Sequence, residues 1–198
     1  MYDADPAISK PRTFTIGIAT RPSITAVTDS LGPVADNGSS YDTDIDVSVI
    51  ADPNQGVQLY DGDTSIGSLI PLDGKGEGST TLTNLTRKTY AIKARALYGD
   101  RLESPVHRFT IKPHAAITLT SVKHSNGELV QGGNTYDNTV TLTGAFTPLY
   151  EVQVYDNDVP RQIVSTLQNG TWTTSLAVDL GNHAVYVKAV ATDLQSTS

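Results

Sequence analysis

Aspartates recur at spacings that could do chemistry in three stretches of this chain. Asp42, Asp44 and Asp46 alternate along one stretch, Asp61 and Asp63 flank a glycine, and Asp156 and Asp158 echo that pair around Asn157. Calcium takes about six to eight oxygen ligands, usually carboxylates converging from loops. The Asp61–Asp63 loop suits such an ion better than the Asp42–Asp46 stretch, because alternate residues of a strand hold their carboxylates about 7 Å apart. The plainer reading of Asp42, Asp44 and Asp46 is a solvated acidic edge that discourages pairing with another strand. Asp44 and Asp46 belong to a stretch that recurs later in the chain with Thr139 and Thr141 in their places, which speaks against a metal site common to both stretches.

Two further constellations bear on binding. Lys93 and Arg95 alternate along one strand, and Arg108 and Lys112 take alternate positions on the strand expected beside it. Four cations on one sheet face could hold an anionic glycan or an acidic partner; ordinary exposed strand residues are the plainer account. Trp172, flanked by Thr171 and Thr173, could stack on a sugar ring, although a side chain of its size more often closes the open end of a core. Tyr41 and Tyr136 each precede an aspartate and read as plugs beside turn-rich passages.

The search for catalytic machinery returns little. His107, His114, His124 and His183 are scattered without metal-ligand spacing, and Glu77, Glu103, Glu128 and Glu151 all fall in or beside loops. The chain carries no nucleophile elbow, phosphate-binding loop or dinucleotide fingerprint. It is expected not to be an enzyme.

The elements that must position these residues are written twice. Val57-Gln-Leu-Tyr-Asp-Gly-Asp63 returns as Val152-Gln-Val-Tyr-Asp-Asn-Asp158, an offset of 95. At the same offset Tyr41-Asp42 falls on Tyr136-Asp137, and Lys93-Ala94 on Lys188-Ala189. Matches at one spacing indicate an internal duplication, and each copy is long enough to bury its own core. A fourth pair, Phe14-Thr-Ile16 and Phe109-Thr-Ile111, repeats the offset. The chain therefore reads as opening on the last strand of a preceding unit.

Within each copy the strands are short and alternate. Ile45, Val47 and Val49, like Val140 and Leu142, should face inward, as should Val57, Leu59, Val152 and Val154. Hairpin turns are expected at Asp61-Gly62 and Asp156-Asn157. The longest strands are Tyr90–Ala96 and Val185–Ala191. About seven strands per copy, with turns every 8–12 residues or so, make an all-β chain of two tandem Ig-like Greek-key β-sandwich domains. The expected boundaries are residues 1–20 for an N-terminal segment, 21–112 for the first repeat and 113–198 for the second, whose closing strand is missing. Residues 10–16 of another molecule match that missing strand.

Composition narrows the classes. The 198 residues hold no cysteine, excluding disulfides and thiolate metal sites and leaving packing, or ions bound through oxygen, to stabilise the fold. The net charge of −7 argues against nucleic acid as a partner. No window offers the roughly 18 apolar residues of a membrane helix. Met1–Lys10 lacks a signal peptide's basic and apolar regions, so any export signal is expected outside this stretch.

Val140-Thr-Leu-Thr-Gly144, Val152–Asn157, Asn169-Gly-Thr-Trp172 and Val187-Lys-Ala-Val-Ala-Thr-Asp193, in that order, resemble the bacterial tandem Ig-like repeats of large surface or secreted proteins. The resemblance implies a non-catalytic, adhesin-like module, a spacer or stalk segment at the cell surface or outside the cell. Its partners would be neighbouring Ig-like repeats and a host-surface or matrix glycan or protein. The alternative it leaves is a carbohydrate-binding accessory module of a larger enzyme or toxin. The first repeat departs from the pattern, with Gly78 near the place of Trp172.

Overall fold

The structure, a computed structural model, describes residues 9–190. Its regular elements are all strands. The first copy contains β1 (Ser23–Asp29), β2 (Gly32–Pro33), β3 (Gly38–Ser40), β4 (Ile45–Ile50), β5 (Gly56–Asp61), β6 (Thr64–Pro71), β7 (Glu77–Leu82), β8 (Thr89–Ala96) and β9 (His107–Ile111). The second contains β10 (Thr118–His124), β11 (Gly127–Glu128), β12 (Thr139–Ala145), β13 (Glu151–Asp156), β14 (Val159–Ser165), β15 (Thr171–Ala177) and β16 (Val185–Ala189). Four sheets result, in the orders β2-β1-β4-β7, β3-β9-β8-β5-β6, β11-β10-β12-β15 and β14-β13-β16. The all-β sandwich expectation holds. Among the described residues no helix is long and apolar enough to cross a membrane.

By compactness the chain divides into two units, and β1, β4, β7, β8 and β9 each contribute to both. The first takes in the residues up to Thr25, Val47–Thr80 and Ala91–His107; the second takes Ala26–Asp46, Thr81–Tyr90 and the residues from Arg108 onward.

In the first unit the period-two pattern fixes the core. Val47, Val49, Val57, Leu59, Ile92 and Ala94 are all buried, because successive strand side chains point to opposite faces. β5 and β6 form a hairpin closed at Asp61 and Thr64, so the turn is Gly62-Asp63, one residue later than expected. Gly62 supplies the left-handed backbone (φ 61°) that such a turn requires. Gly76 is needed for a second reason: a Cβ there would stand 2.0 Å from the carbonyl oxygen of Ala51. Gly78 also explains why this copy has no counterpart of Trp172. A Cβ at that place would meet the Ile70 side chain at 2.7 Å and the Pro71 carbonyl at 2.8 Å.

In the second unit, Val140, Leu142, Trp172 and Leu176 from β12 and β15 pack on Val152 and Val154 from β13. β12 pairs with β15 so that Gly144 lies opposite Trp172. A Cβ on Gly144 would be 2.4 Å from the indole and 2.0 Å from the Thr118 carbonyl oxygen, so the glycine is what admits the ring. The β13–β14 hairpin closes at Asp156 and Val159, with Asn157 (φ 51°) and Asp158 (φ 65°) both left-handed. This unit also contains the β3–β9 ladder, a parallel pairing that sets Gly38 opposite Phe109. There Phe109 and Ile111 are buried, and the Phe109 ring stacks on Tyr90 at 5.3 Å.

Three expectations need correcting. Residues 12–16 form no strand, and Phe14 and Ile16 are 85% and 86% exposed, because a strand persists only with a ladder partner. Tyr41 packs on the second unit's core as a plug should, but Tyr136 is fully exposed. Asp42, expected on a solvated edge, is buried. The outer parts of the expected N-terminal segment and of the second repeat, residues 1–8 and 191–198, lie outside the described residues.

Candidate functional site

Four aspartates and a glutamate gather around a cleft of about 640 Å³ in the second unit: Asp29, Asp42, Asp44, Asp46 and Glu151, with Tyr150 among them. Each aspartate is engaged. Asp29 accepts the Leu31 amide at 2.9 Å and the Ser40 hydroxyl at 2.6 Å. Asp42 accepts the Ser30 amide at 2.7 Å and the Tyr150 hydroxyl. Asp44 accepts the Asn84 amide at 2.9 Å, and Asp46 the Thr81 hydroxyl at 2.5 Å. The alternation read as an acidic edge therefore ties two loops and β7 to β4 and the segment leading into it.

Proton positions follow from these contacts. Burial opposes ionisation of Asp42, but the Ser30 and Tyr150 hydrogen bonds outweigh it and hold the carboxyl below its ordinary range. Burial, reinforced by the bond to Asp42, pushes the Tyr150 hydroxyl far above its ordinary value. The proton thus stays on Tyr150 and the charge on Asp42 at any physiological pH, a locked pair rather than a poised acid and base.

Behind Tyr150 is an aromatic stack. His114 lies between Tyr41 and Phe146, with centroids 5.7 Å away on each side, and Tyr150 meets it edge-on at 4.7 Å. Its Nδ1 is 3.1 Å from the Thr147 hydroxyl, which also accepts the Ala115 amide at 2.8 Å. His114 is thereby a packed and oriented ring.

Asp61 and Asp63, the expected calcium loop, do different jobs. Asp61 accepts the Ala91 amide at 2.9 Å and fastens the hairpin to β8, while the fully exposed Asp63 reaches toward Lys93 at 3.9 Å. Among the described residues no group of three or more His, Cys, Asp or Glu is arranged to hold a metal ion.

The expected basic face is corrected by a residue that sequence reasoning left in a loop. Glu103 takes Lys93 at 2.9 Å and Arg95 at 2.5 Å, and the Arg95 guanidinium also lies 4.1 Å over the Tyr60 ring. Lys93 and Arg95 together hold the Glu103 carboxyl below its ordinary range. The two strand cations thus share the single charge of Glu103. Arg108, on β9, is exposed with its amide bound to Asp36 at 2.7 Å, and Lys112 follows β9 in solvent.

Trp172 is likewise corrected as a sugar platform. It is 1% exposed, at the centre of the second unit's core, and presents no ring face to a ligand. Gly144 is the signal that could have revealed this, since a ring-sized opening across the ladder marks an inward tryptophan.

A second missed cluster surrounds Asp156, which is completely buried. Arg161 reaches it at 2.9 Å, and His183 Nδ1 at 2.9 Å. The Nε2 of His183 points at the Asp179 carbonyl, 2.8 Å away. Both ring nitrogens face acceptors, so the doubly protonated imidazolium satisfies both and the neutral ring only one. The Asp179 carbonyl and then Asp156 raise the His183 pKa accordingly. The pair resembles the orienting half of a triad, but with Nε2 committed to a carbonyl it offers no lone pair to a nucleophile. The signal for it was Asp156 itself, read only as an echo of Asp61.

No protein-family model and no curated protein matches the chain. Solved structures do. The chain is similar to fibronectin(III)-like modules of Clostridium thermocellum CbhA (24% identity, 82% of this chain and 84% of that one, TM-score 0.36). It is also similar to the D0-D1 domain of intimin (13%, 86% and 93%, 0.31). A third similar structure is the BSP domain of a biofilm associated protein (17%, 88% and 27%, 0.30).

Proposed function

We propose that the chain is a non-catalytic structural module, two tandem sandwiches at residues 21–112 and 113–198 that serve as a spacer within a bacterial surface or secreted protein. The observation that carries this reading is the employment of the acidic residues. Asp36, Asp44, Asp52, Asp61, Asp73 and Asp137 each accept a backbone amide from a loop or a neighbouring strand. A carboxylate bonded to an amide fixes a connection without a disulfide, which suits a cysteine-free block exposed to shear and proteases. The acidity that first suggested ligand chemistry thus stiffens the loops.

Asp73 and Asp137 provide the test, since both are held below the ordinary carboxylate range mainly by backbone amides. Asp73→Asn and Asp137→Asn should each lower the unfolding midpoint and speed proteolysis at the adjoining loop. Unchanged midpoints, together with saturable binding of a soluble polysaccharide that these substitutions abolish, would replace the spacer with a binding module.

A further inference from the structure

The chain contains three Asn-Gly pairs, Asn37-Gly38, Asn126-Gly127 and Asn169-Gly170. In such a pair the glycine nitrogen can reach the asparagine side-chain carbon, because the glycine has no Cβ to block the approach. The fold treats the three differently. Asn37 donates its backbone amide to the Arg108 carbonyl at 2.7 Å and its side chain to Asp36 at 3.1 Å, while the Gly38 amide is held by the Ala35 carbonyl at 2.8 Å. Asn169 accepts the Thr171 amide at 3.0 Å and hydroxyl at 2.8 Å, and the Gly170 amide is held by the Leu167 carbonyl at 2.8 Å. Both glycines are also crowded. A Cβ on Gly38 would stand 2.7 Å from the Ala35 carbonyl oxygen, and one on Gly170 would stand 2.6 Å from that of Phe146.

Asn126-Gly127 has none of this support. Both residues are exposed, and among the described residues nothing lies within 4 Å of the place a Gly127 Cβ would take. The Asn126 side chain has no hydrogen-bond partner among the described residues. Gly127 belongs to the two-residue strand β11, whose ladder to β10 consists of the pairs His124–Gly127 and Lys123–Glu128 beside the Ser125-Asn126 turn. A ladder this short, exposed at a turn, opens at little cost.

We infer that Asn126 is a site of spontaneous modification, the one of the three pairs that deamidates while the protein is folded. The Gly127 nitrogen attacks the Asn126 Cγ and gives up its proton; the side-chain nitrogen departs with that proton as ammonia, leaving a succinimide. One water then opens the ring at either carbonyl, giving aspartate or isoaspartate. The reaction needs no enzyme and no partner. Either product adds a carboxylate to a turn that two others already hold. Asp137 accepts the Ser125 amide at 2.6 Å, and Glu128 accepts the Ser121 hydroxyl at 2.6 Å and the Val122 amide at 3.2 Å. A like charge set among them weakens the turn. Isoaspartate also adds a methylene to the main chain and moves Gly127 out of register with His124. The chain thereby carries a self-timed loosening of the β10–β11 hairpin.

Incubating the full chain in mildly alkaline buffer at physiological temperature tests this, with peptide-mass mapping and enzymatic methyl transfer to isoaspartate as readouts. In the folded chain the Asn126 peptide should convert at least about tenfold faster than those of Asn37 and Asn169, since each of these must first give up several hydrogen bonds. In concentrated urea the three rates should converge. Equal rates in the folded chain, or a spread that persists in urea, overturns the inference. Amide exchange follows the consequence. The Leu129 amide, which donates to the Val122 carbonyl at 2.8 Å, should lose protection as Asn126 converts. Asn126→Gln, whose longer side chain closes the ring far more slowly, should keep that protection throughout; its loss at the wild-type pace in this variant overturns the loosening.

Discussion

Trp172 shows at the scale of one residue how the same side chain reads as ligand or core until its opposite number is known. Its ring occupies the opening left by Gly144. Trp172→Ala should cost about 3–5 kcal/mol, as large core truncations do. Gly144→Ala, which adds a single methyl, should cost about 3 kcal/mol by overpacking; chemical denaturation measures both. His183 should make stability depend on pH. Its folded pKa is raised, so its contribution is complete below about 6.5, the unfolded value, and fades as pH rises through the folded one. His183→Gln should flatten that part of the profile. A wild-type midpoint that rises over the same pH range would show that the imidazolium is not what Asp156 holds.

Strands and their faces were the legible part at the scale of elements. Alternation alone placed Ile45, Val47, Val49, Val140 and Leu142 inward, and all five are buried, because the period of a pleated strand is fixed by backbone geometry. The site was less legible, for a physical reason. Glu103 meets Arg95 from across a turn, and His183 meets Asp156 from 27 residues away, contacts that no local period encodes. Phe14-Thr-Ile16 fails in the opposite sense: it has strand propensity but no partner. Turn glycines test the same division between local and distant causes. Gly62 has nothing near its missing side chain, so Gly62→Ala should cost only its left-handed backbone, about 1 kcal/mol. Gly76→Ala adds a collision with the Ala51 carbonyl to a similar backbone cost and should be at least twice as damaging. Thermal melts of the two variants decide it.

Over the whole molecule the account rests on a sentence of strands written twice, with carboxylates in place of cross-links to hold the connections. The similarity between copies is uneven. One core contains tryptophan against glycine, the other closes Ile70, Pro71 and Leu72 over Gly78, and each solution is internally consistent. Divergence of that kind fits the proposal that the two sequence repeats fold as separate blocks. Pulling a single chain from its two ends in a force spectrometer examines that independence most directly. Two separate unfolding events should appear, each releasing about 30 nm, the extended length of a 95-residue repeat less its folded span. One event releasing about twice that length would mean a single cooperative core, and would contradict the account.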